Sequence, residues 1–305
     1  MSNYIEGILT VWYLLTAGSM IFLLWDFYTN TPASRVMKLA WVLVILYTGP
    51  IGLFIYLLSC RQPLPNMHDT FIATHWKQAI GSLLHCVAGD ATGIILSAII
   101  VYHFRLPTGI DLSIEYISAF IVGWLIFQAL FMRSMFGGNY WQAVGKTFFA
   151  ETISMNMVMV GMIPTMVVLM HVLPDANNPY RLLFWGVMSV ATIAGMITAY
   201  PINSWMVAKG LKHGMMSAIP APKMHNNNIP ESSKNDMNDM SMEHANHSLA
   251  ISMTMSRDKQ HNHKIEKLSK LQSTIILIGT FSLLIISLFI TTIFVPITFM
   301  LRHLS

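Results

Sequence analysis

Long apolar runs separated by short polar segments dominate the pattern of this chain. Seven runs are long enough to cross a hydrocarbon core about 30 Å thick, which takes about 20 residues of helix. They cover residues 7–25, 39–59, 78–101, 112–131, 147–173, 182–207 and 273–301. Strand-like alternation of apolar and polar residues is absent, and a helix satisfies its own backbone hydrogen bonds in lipid. The pattern therefore predicts an all-α, polytopic membrane helix bundle.

Six of these spans follow one another through short connections, and the seventh is set apart. Residues 216–263 are rich in Asn, Ser, Met, His and Pro, a composition typical of disorder. We therefore predict a six-helix transmembrane core over 1–215 and a disordered Met/His/Asn-rich loop over 216–263. A basic juxtamembrane segment and the C-terminal transmembrane helix follow over 264–305.

The composition agrees with a membrane location. Of the 305 residues, 54% are hydrophobic and only 10% are charged, whereas an ordinary soluble domain has about 25% charged residues. The lipid bilayer is thus an expected partner, and protein partners are left open. The sequence has no P-loop, no His-Glu-x-x-His motif and no dinucleotide fingerprint. We expect neither an enzyme nor a nucleic-acid-binding protein.

The basic residues predict an orientation, because Lys and Arg are enriched in cytoplasmic connections. With the N-terminus inside, the cytoplasmic connections contain Arg61, Lys77, Arg133, Lys146, Lys209 and Lys212, and also the long basic loop. The opposite side then has Arg35, Lys38, Arg105, Arg181 and Arg302. This bias predicts that the N-terminus and the long loop are cytoplasmic.

The third span has polar residues at its centre. At 100° per residue, one narrow stripe holds Ser82, Cys86, Asp90, Gly93 and Ser97, with His85 and Gly89 beside it. A mid-bilayer Asp costs about 2.5–3.5 kcal/mol on insertion scales, so this face is expected to turn inward. The small residues Gly89 and Gly93 predict close approach of a neighbouring helix.

Three interpretations of this polar face remain open. His, Cys and carboxylate side chains together are a plausible ligand set for a transition metal. The same groups are able to form a proton relay. In the third interpretation, Asp90 and His85 only form hydrogen bonds between helices and stabilise the bundle.

A second stripe lies on the fifth span. It consists of Glu151, Met155, Met159, Met162, Met166 and Met170. Thioethers favour soft ions such as Cu(I), with a carboxylate as an entry ligand. We therefore add Glu151 and Met155 to the candidate metal ligands His85, Cys86 and Asp90. Methionine is also an adaptable filler between helices, and packing is the better explanation of the stripe as a whole.

The long loop contains further soft ligands at short spacings. Its weaker candidate ligands are Met237, Met240, His244, His247, His261 and His263. Such a flexible tract suits capture of Cu(I), or of Ni(II) and Zn(II) through His, but a low-complexity linker fits equally well. The predicted cytoplasmic side of the loop disagrees with a role in scavenging external copper.

Two prolines are expected to distort their helices, because proline removes a backbone hydrogen bond. Pro50 follows Gly49 in the second span, and Pro201 lies near the end of the sixth. Asn203 is placed either to satisfy the carbonyl that Pro201 frees or to face a cavity.

Several of these segments together resemble an uncharacterised family of bacterial multi-pass membrane proteins, a domain of unknown function, over about residues 20–215. The segments are LYTGP at 46–50, HCVAGDATG at 85–93, FQ at 127–128, FAETIS at 149–154, TAYPINSW at 198–205 and KGLK at 209–212. The resemblance implies a six-helix core and location in a bacterial inner membrane, and it supplies no reaction. Family members tend to have Cys where Asp90 stands and Asp where Ile94 stands, so a Cys pair is replaced here.

The leading functional hypothesis from the sequence is transport or homeostasis of a transition metal, with copper as the expected ion and no other cofactor. It rests on three features rich in soft ligands within one chain. The alternatives are a proton-coupled transporter of another solute and a non-catalytic membrane scaffold or assembly factor.

Overall fold

The computed structural model describes residues 2–64, 67–133, 138–215 and 269–297 of the chain. Its α-helices are α1 (Ser2–Thr29), α2 (Arg35–Ser59), α3 (His68–Ile72), α4 (His75–Val101), α5 (Thr108–Ile121), α6 (Ala129–Met132), α7 (Tyr140–Val172), α8 (Leu182–Ala208) and α9 (Lys270–Phe294). A 3₁₀ turn at Tyr102–Phe104 follows α4, and a π-helical segment at Val122–Gln128 joins α5 to α6. The described residues contain no β-strand, which confirms the predicted all-α class.

Seven helical segments in the described part are long and apolar enough to cross a membrane. The chain is therefore a multi-pass membrane protein. The fourth of these segments, Thr108–Met132, combines α5, the π-helical segment and α6. The predicted loop over 216–263 lies outside the described residues, so its disorder and the domain division that depends on it stay predictions.

Helix α4 lies at the centre of the bundle. It packs against α2, α5, α7 and α8. Of the residues in its most apolar stretch, 72% are buried inside the protein, compared with 17% for the corresponding stretches of α1 and α9. Helix α9 packs on α7, and α1 packs mainly on α2. A central helix exchanges most of its lipid contact for protein contact, so polar side chains at its middle avoid lipid only by meeting partners on neighbouring helices.

Helix α2 is broken where the sequence predicts a break. Gly49 has φ 58° and ψ −137°, and Pro50 follows it inside the helix. A Cβ atom at Gly49 would lie 2.6 Å from Oγ1 of Thr16 and 3.1 Å from the Trp12 ring. Glycine is therefore required here both for the left-handed backbone and for the contact with α1.

A buried carboxylate ties α1 to α2 near the end of the bundle. Asp26 is fully buried and accepts hydrogen bonds from Oγ1 of Thr31 at 2.7 Å, from Nε of Arg61 at 3.0 Å, from the Asn30 amide and from the Tyr56 hydroxyl. Both carboxylate oxygens thus have donors, and one of the donors carries a positive charge. A buried charge whose partners are complete stabilises a fold without implying chemistry.

We expect Tyr56→Phe to lower the free energy of unfolding by about 1.5–3 kcal/mol, because Asp26 loses a donor while the aromatic packing is kept. Thermal unfolding of the purified protein in detergent measures the change. Tyr28→Phe is the matched control, since Tyr28 is 93% exposed, and it should leave the midpoint unchanged. Equal midpoints for the two variants would contradict a structural role for this hydrogen bond.

Candidate functional site

The polar face of α4 is closed by very close contact with the segment that begins at α5. A Cβ atom at Gly89 would overlap the Cα atom of Gly123, and one at Gly93 would lie 2.6 Å from the Cα atom of Ala119. The close approach predicted from Gly89 and Gly93 is therefore confirmed. Helices that approach this closely leave no room for lipid or for large side chains between them.

Two carboxylates converge on Gly123, which lies in the π-helical segment. A Cβ atom at Gly123 would lie 2.9 Å from Oε1 of Glu151 and would overlap Oδ1 of Asp90. These carboxylates come from α7 and α4, and Gly123 leaves the space that both of them occupy. Single π-helical turns inside α-helices are frequent at functional sites, because the altered hydrogen-bonding places the backbone differently.

Glu151 also contacts a thiol and an ammonium group. The Cys86 thiol donates to Oε2 of Glu151 at 2.9 Å. Nζ of Lys212 lies 3.6 Å from the same oxygen in a fully buried ion pair and also donates to Sγ of Cys86. We call Cys86, Asp90, Glu151 and Lys212 the buried charge cluster.

Lys212 reaches this cluster from the segment that follows α8, beyond the membrane-spanning residues. Its exposed fraction is only 2%, although the sequence predicts a charge in a cytoplasmic connection. Burial lowers the pKa of the Lys212 ammonium, but the neighbouring Cys86 and Glu151 raise it more, so the net pKa lies above its usual value. Lys212 is thus held in the charged form.

Asn203 joins the cluster to the rest of the bundle. Its Oδ1 accepts from Nζ of Lys212 at 3.1 Å and from Oγ of Ser82 at 3.3 Å, and its Nδ2 lies 2.7 Å from Oγ of Ser154. Nδ2 also donates to the carbonyl of Ala199. This is not the carbonyl that Pro201 frees, which lies four residues before the proline. Asn203 therefore links α8 to α4 and α7 and positions Lys212.

Asp90 differs from Asp26 in its hydrogen bonding. Asp90 is fully buried, and neither of its oxygens has a hydrogen-bond partner among the described residues. Oε1 of Glu151 is likewise without a partner in this part of the chain. The cluster has one ammonium group for two carboxylates, so a further positive charge is needed to neutralise it. That charge is supplied either by a proton or by a bound cation.

His85 makes no hydrogen bond with the cluster. Its ring stacks on Phe131 with the centroids 3.5 Å apart, and neither ring nitrogen has a hydrogen-bond partner among the described residues. The structure thus brings together Cys86, Asp90 and Glu151 of the predicted ligands and leaves out His85. Within the described residues, no group of three or more His, Cys, Asp and Glu side chains has a geometry suited to a metal ion. The metal site stays a prediction.

The methionine stripe lies mostly in the hydrophobic core. Met155, Met159 and Met162 are fully buried within the main apolar cluster, where they pack between helices. The loop ligands Met237, Met240, His244, His247, His261 and His263 lie outside the described residues.

Lys212 and Ser154 are partners in the site that the sequence does not assign to it. Lys212 follows the sixth span, where a lysine is typical of a cytoplasmic surface. Ser154 is one of several small polar residues in α7, and nothing in the hydropathy pattern distinguishes it. Both positions fall within segments that carry the family resemblance, KGLK at 209–212 and FAETIS at 149–154, and that is the one signal that points to them.

The fold and the cluster define a multi-pass helical membrane protein with a charged site buried in its bundle. Residues 75–212 match the family model of a domain of unknown function (DUF4396), which confirms the predicted type of family over a narrower range than 20–215. The matched segment begins at His75 and ends at Lys212, so it includes every side chain of the cluster. No curated protein and no solved structure shows significant similarity to the chain.

Proposed function

We propose that this protein is a proton-coupled membrane transporter in which Asp90 and Glu151 form the proton-binding site. The observation that carries the proposal is the lack of hydrogen-bond partners for both oxygens of the fully buried Asp90 among the described residues. A carboxylate that only stabilises a bundle is expected to have its partners complete, as Asp26 does.

The charges of the cluster support the same proposal. Lys212 neutralises one carboxylate through its ion pair with Glu151, and the second carboxylate is neutralised when a proton binds. Loss of that proton leaves a net negative charge in a medium of low polarity, which favours a rearrangement of the surrounding helices. The π-helical segment at Gly123 contacts both carboxylates, and it is the backbone element through which such a change would reach α5.

We expect Asp90→Asn to abolish pH-gradient-driven movement of solute, because the amide has nearly the same shape but binds no exchangeable proton. Proteoliposomes with a trapped pH-sensitive dye, given a panel of cations, organic acids and sugars, measure proton movement that depends on solute. Infrared titration of the purified protein provides a readout that needs no solute. One component of the protonated-carboxyl band should be lost in Asp90→Asn and kept in Cys86→Ala.

Transport or homeostasis of a transition metal is the second candidate. It is favoured by the distance of 2.9 Å between Sγ of Cys86 and Oε2 of Glu151, since a thiol and a carboxylate this close are both able to ligate one ion. It is opposed by Lys212, whose ammonium group lies where a cation would bind.

The same two variants separate these candidates and the scaffold hypothesis. Stoichiometric copper in the purified wild type that is lost in Cys86→Ala would favour the metal candidate and overturn the proton proposal. Proton movement that is lost in Asp90→Asn and kept in Cys86→Ala would favour the proton proposal. A change in stability or partner recovery alone, with metal and proton readouts unaffected, would favour a scaffold.

A further inference from the structure

A large cavity lies at the opposite end of α4 from Lys212. Its volume is about 720 Å³, within the range of about 300–1,000 Å³ that is typical of small-molecule sites. Its lining residues come mainly from the C-terminal parts of α4 and α7 and from the N-terminal parts of α5 and α8. It is therefore separate from the buried charge cluster.

Two acidic side chains of α5 line this cavity. Glu115 is 8% exposed, and its Oε2 has no hydrogen-bond partner among the described residues. Asp111 lies one turn earlier, and its Oδ1 is also without a partner in this part of the chain. Residues four apart share one face of a helix, so the two carboxylates present their charge to the same space.

The other charged and titratable groups of the lining are Arg105, His103 and His171. His103 is already engaged, because its Nδ1 lies 3.0 Å from the carbonyl of Ile99 and its Nε2 lies 3.3 Å from the Tyr180 hydroxyl. The lining has two carboxyl groups and one guanidinium group. This excess of acidic groups favours a cation over an anion.

The rest of the lining is suited to an apolar body. Leu112, Met166, Met170 and Phe184 line the cavity, and methionine side chains adapt to ligands of different shapes. The aromatic rings of Tyr102 and Phe184 are also able to contact a diffuse positive charge through their faces. A small hydrated metal ion would leave these apolar walls unused.

We propose that this cavity binds an organic monocation with an apolar body, such as an alkyl- or aryl-substituted ammonium or phosphonium ion, and that Glu115 provides the charge that anchors it. That this cation is the transported solute rests on the proposed function, whereas its binding to the cavity does not. Glu115 and Gly123 belong to one continuous helical segment, and their eight-residue separation corresponds to about 12 Å along its axis. A ligand in the cavity is therefore close enough to the buried charge cluster to influence it.

Binding of radiolabelled tetraphenylphosphonium to the full-length protein in nanodiscs tests the inference. We expect saturable binding to the wild type and at least about tenfold weaker binding to Glu115→Gln, which corresponds to about 1.4 kcal/mol. Glu115→Asp keeps the charge and should bind more tightly than Glu115→Gln. The matched control is Asp175→Asn, an exposed position at the same end of the bundle that does not line the cavity, and it should bind like the wild type.

Tetraphenylborate, which has the same shape and the opposite charge, serves as the control ligand. Equal saturable binding of tetraphenylborate, equal saturable binding of tetraphenylphosphonium to Glu115→Gln, or the absence of saturable binding to the wild type would each overturn the inference. Asp90→Asn should lose proton movement while keeping saturable binding of tetraphenylphosphonium. If tetraphenylphosphonium does not bind but proton movement with another solute still depends on Asp90, the binding site is overturned and the proposed function is kept. If tetraphenylphosphonium binds but no proton movement depends on Asp90, the proposed function is overturned and the binding site is kept.

Discussion

Lys212→Met is expected to destabilise the protein by about 3–5 kcal/mol, because it leaves the buried Glu151 without its cation. Methionine has nearly the same volume as lysine, so the loss of stability reflects the missing charge more than a change in packing. Unfolding midpoints of the purified protein in detergent measure the effect. Lys146→Met is the matched control, since the same substitution occurs at an exposed position of α7, and it should leave the midpoint unchanged.

A double variant separates the ion pair from other roles of Lys212. In Lys212→Met with Glu151→Gln both charges are absent, and we expect most of the lost stability to return, because removing a whole buried pair costs much less than removing one partner. If the double variant is as unstable as Lys212→Met or less stable, the two residues do not form a coupled pair, and the charge balance that supports the proton proposal is incorrect.

Gly123→Ala is expected to cost about 1–3 kcal/mol in stability and also to abolish proton movement. The new Cβ atom would lie 2.9 Å from Oε1 of Glu151 and would overlap Oδ1 of Asp90, so it must displace both carboxylates. The unfolding midpoint and the proteoliposome proton assay measure the two effects.

Gly145→Ala is the control for this substitution. Gly145 is an exposed glycine of α7, and a Cβ atom there would meet nothing within 4 Å. Alanine has the higher helix propensity, so the control should be neutral or slightly stabilising. Full proton movement in Gly123→Ala would show that the convergence of Asp90 and Glu151 on Gly123 is unrelated to function.

The inward face of α4 is an example of what periodicity alone predicts. Cys86 and Asp90 are one turn apart, so any helix over this span places them on one face, and the cost of exposing Asp90 to lipid turns that face inward. The pair Gly89 and Gly93 likewise predicts close packing. Each of these inferences depends only on the geometry of a single helix.

The partners of that face depend on contacts between segments far apart in the chain. Glu151 is 65 residues from Cys86, and Lys212 is 126 residues from it. Lys212 also follows a span at a position where lysine is usually in contact with water. His85, one residue before Cys86, points to Phe131 because neighbouring positions on a helix face directions about 100° apart.

The amino-acid sequence by itself determined the class of the protein, the seven spans, the break at Gly49 and Pro50 and the small polar face of the third span, because hydropathy and helical periodicity are local properties. Only the tertiary structure decided that Lys212 neutralises Glu151, that Asp90 lacks hydrogen-bond partners among the described residues, and that a cavity with Glu115 lies at the other end of α4. The physical reason is that charge compensation and cavity shape arise from side chains on several helices. Their relative placement is set by the packing of the whole bundle.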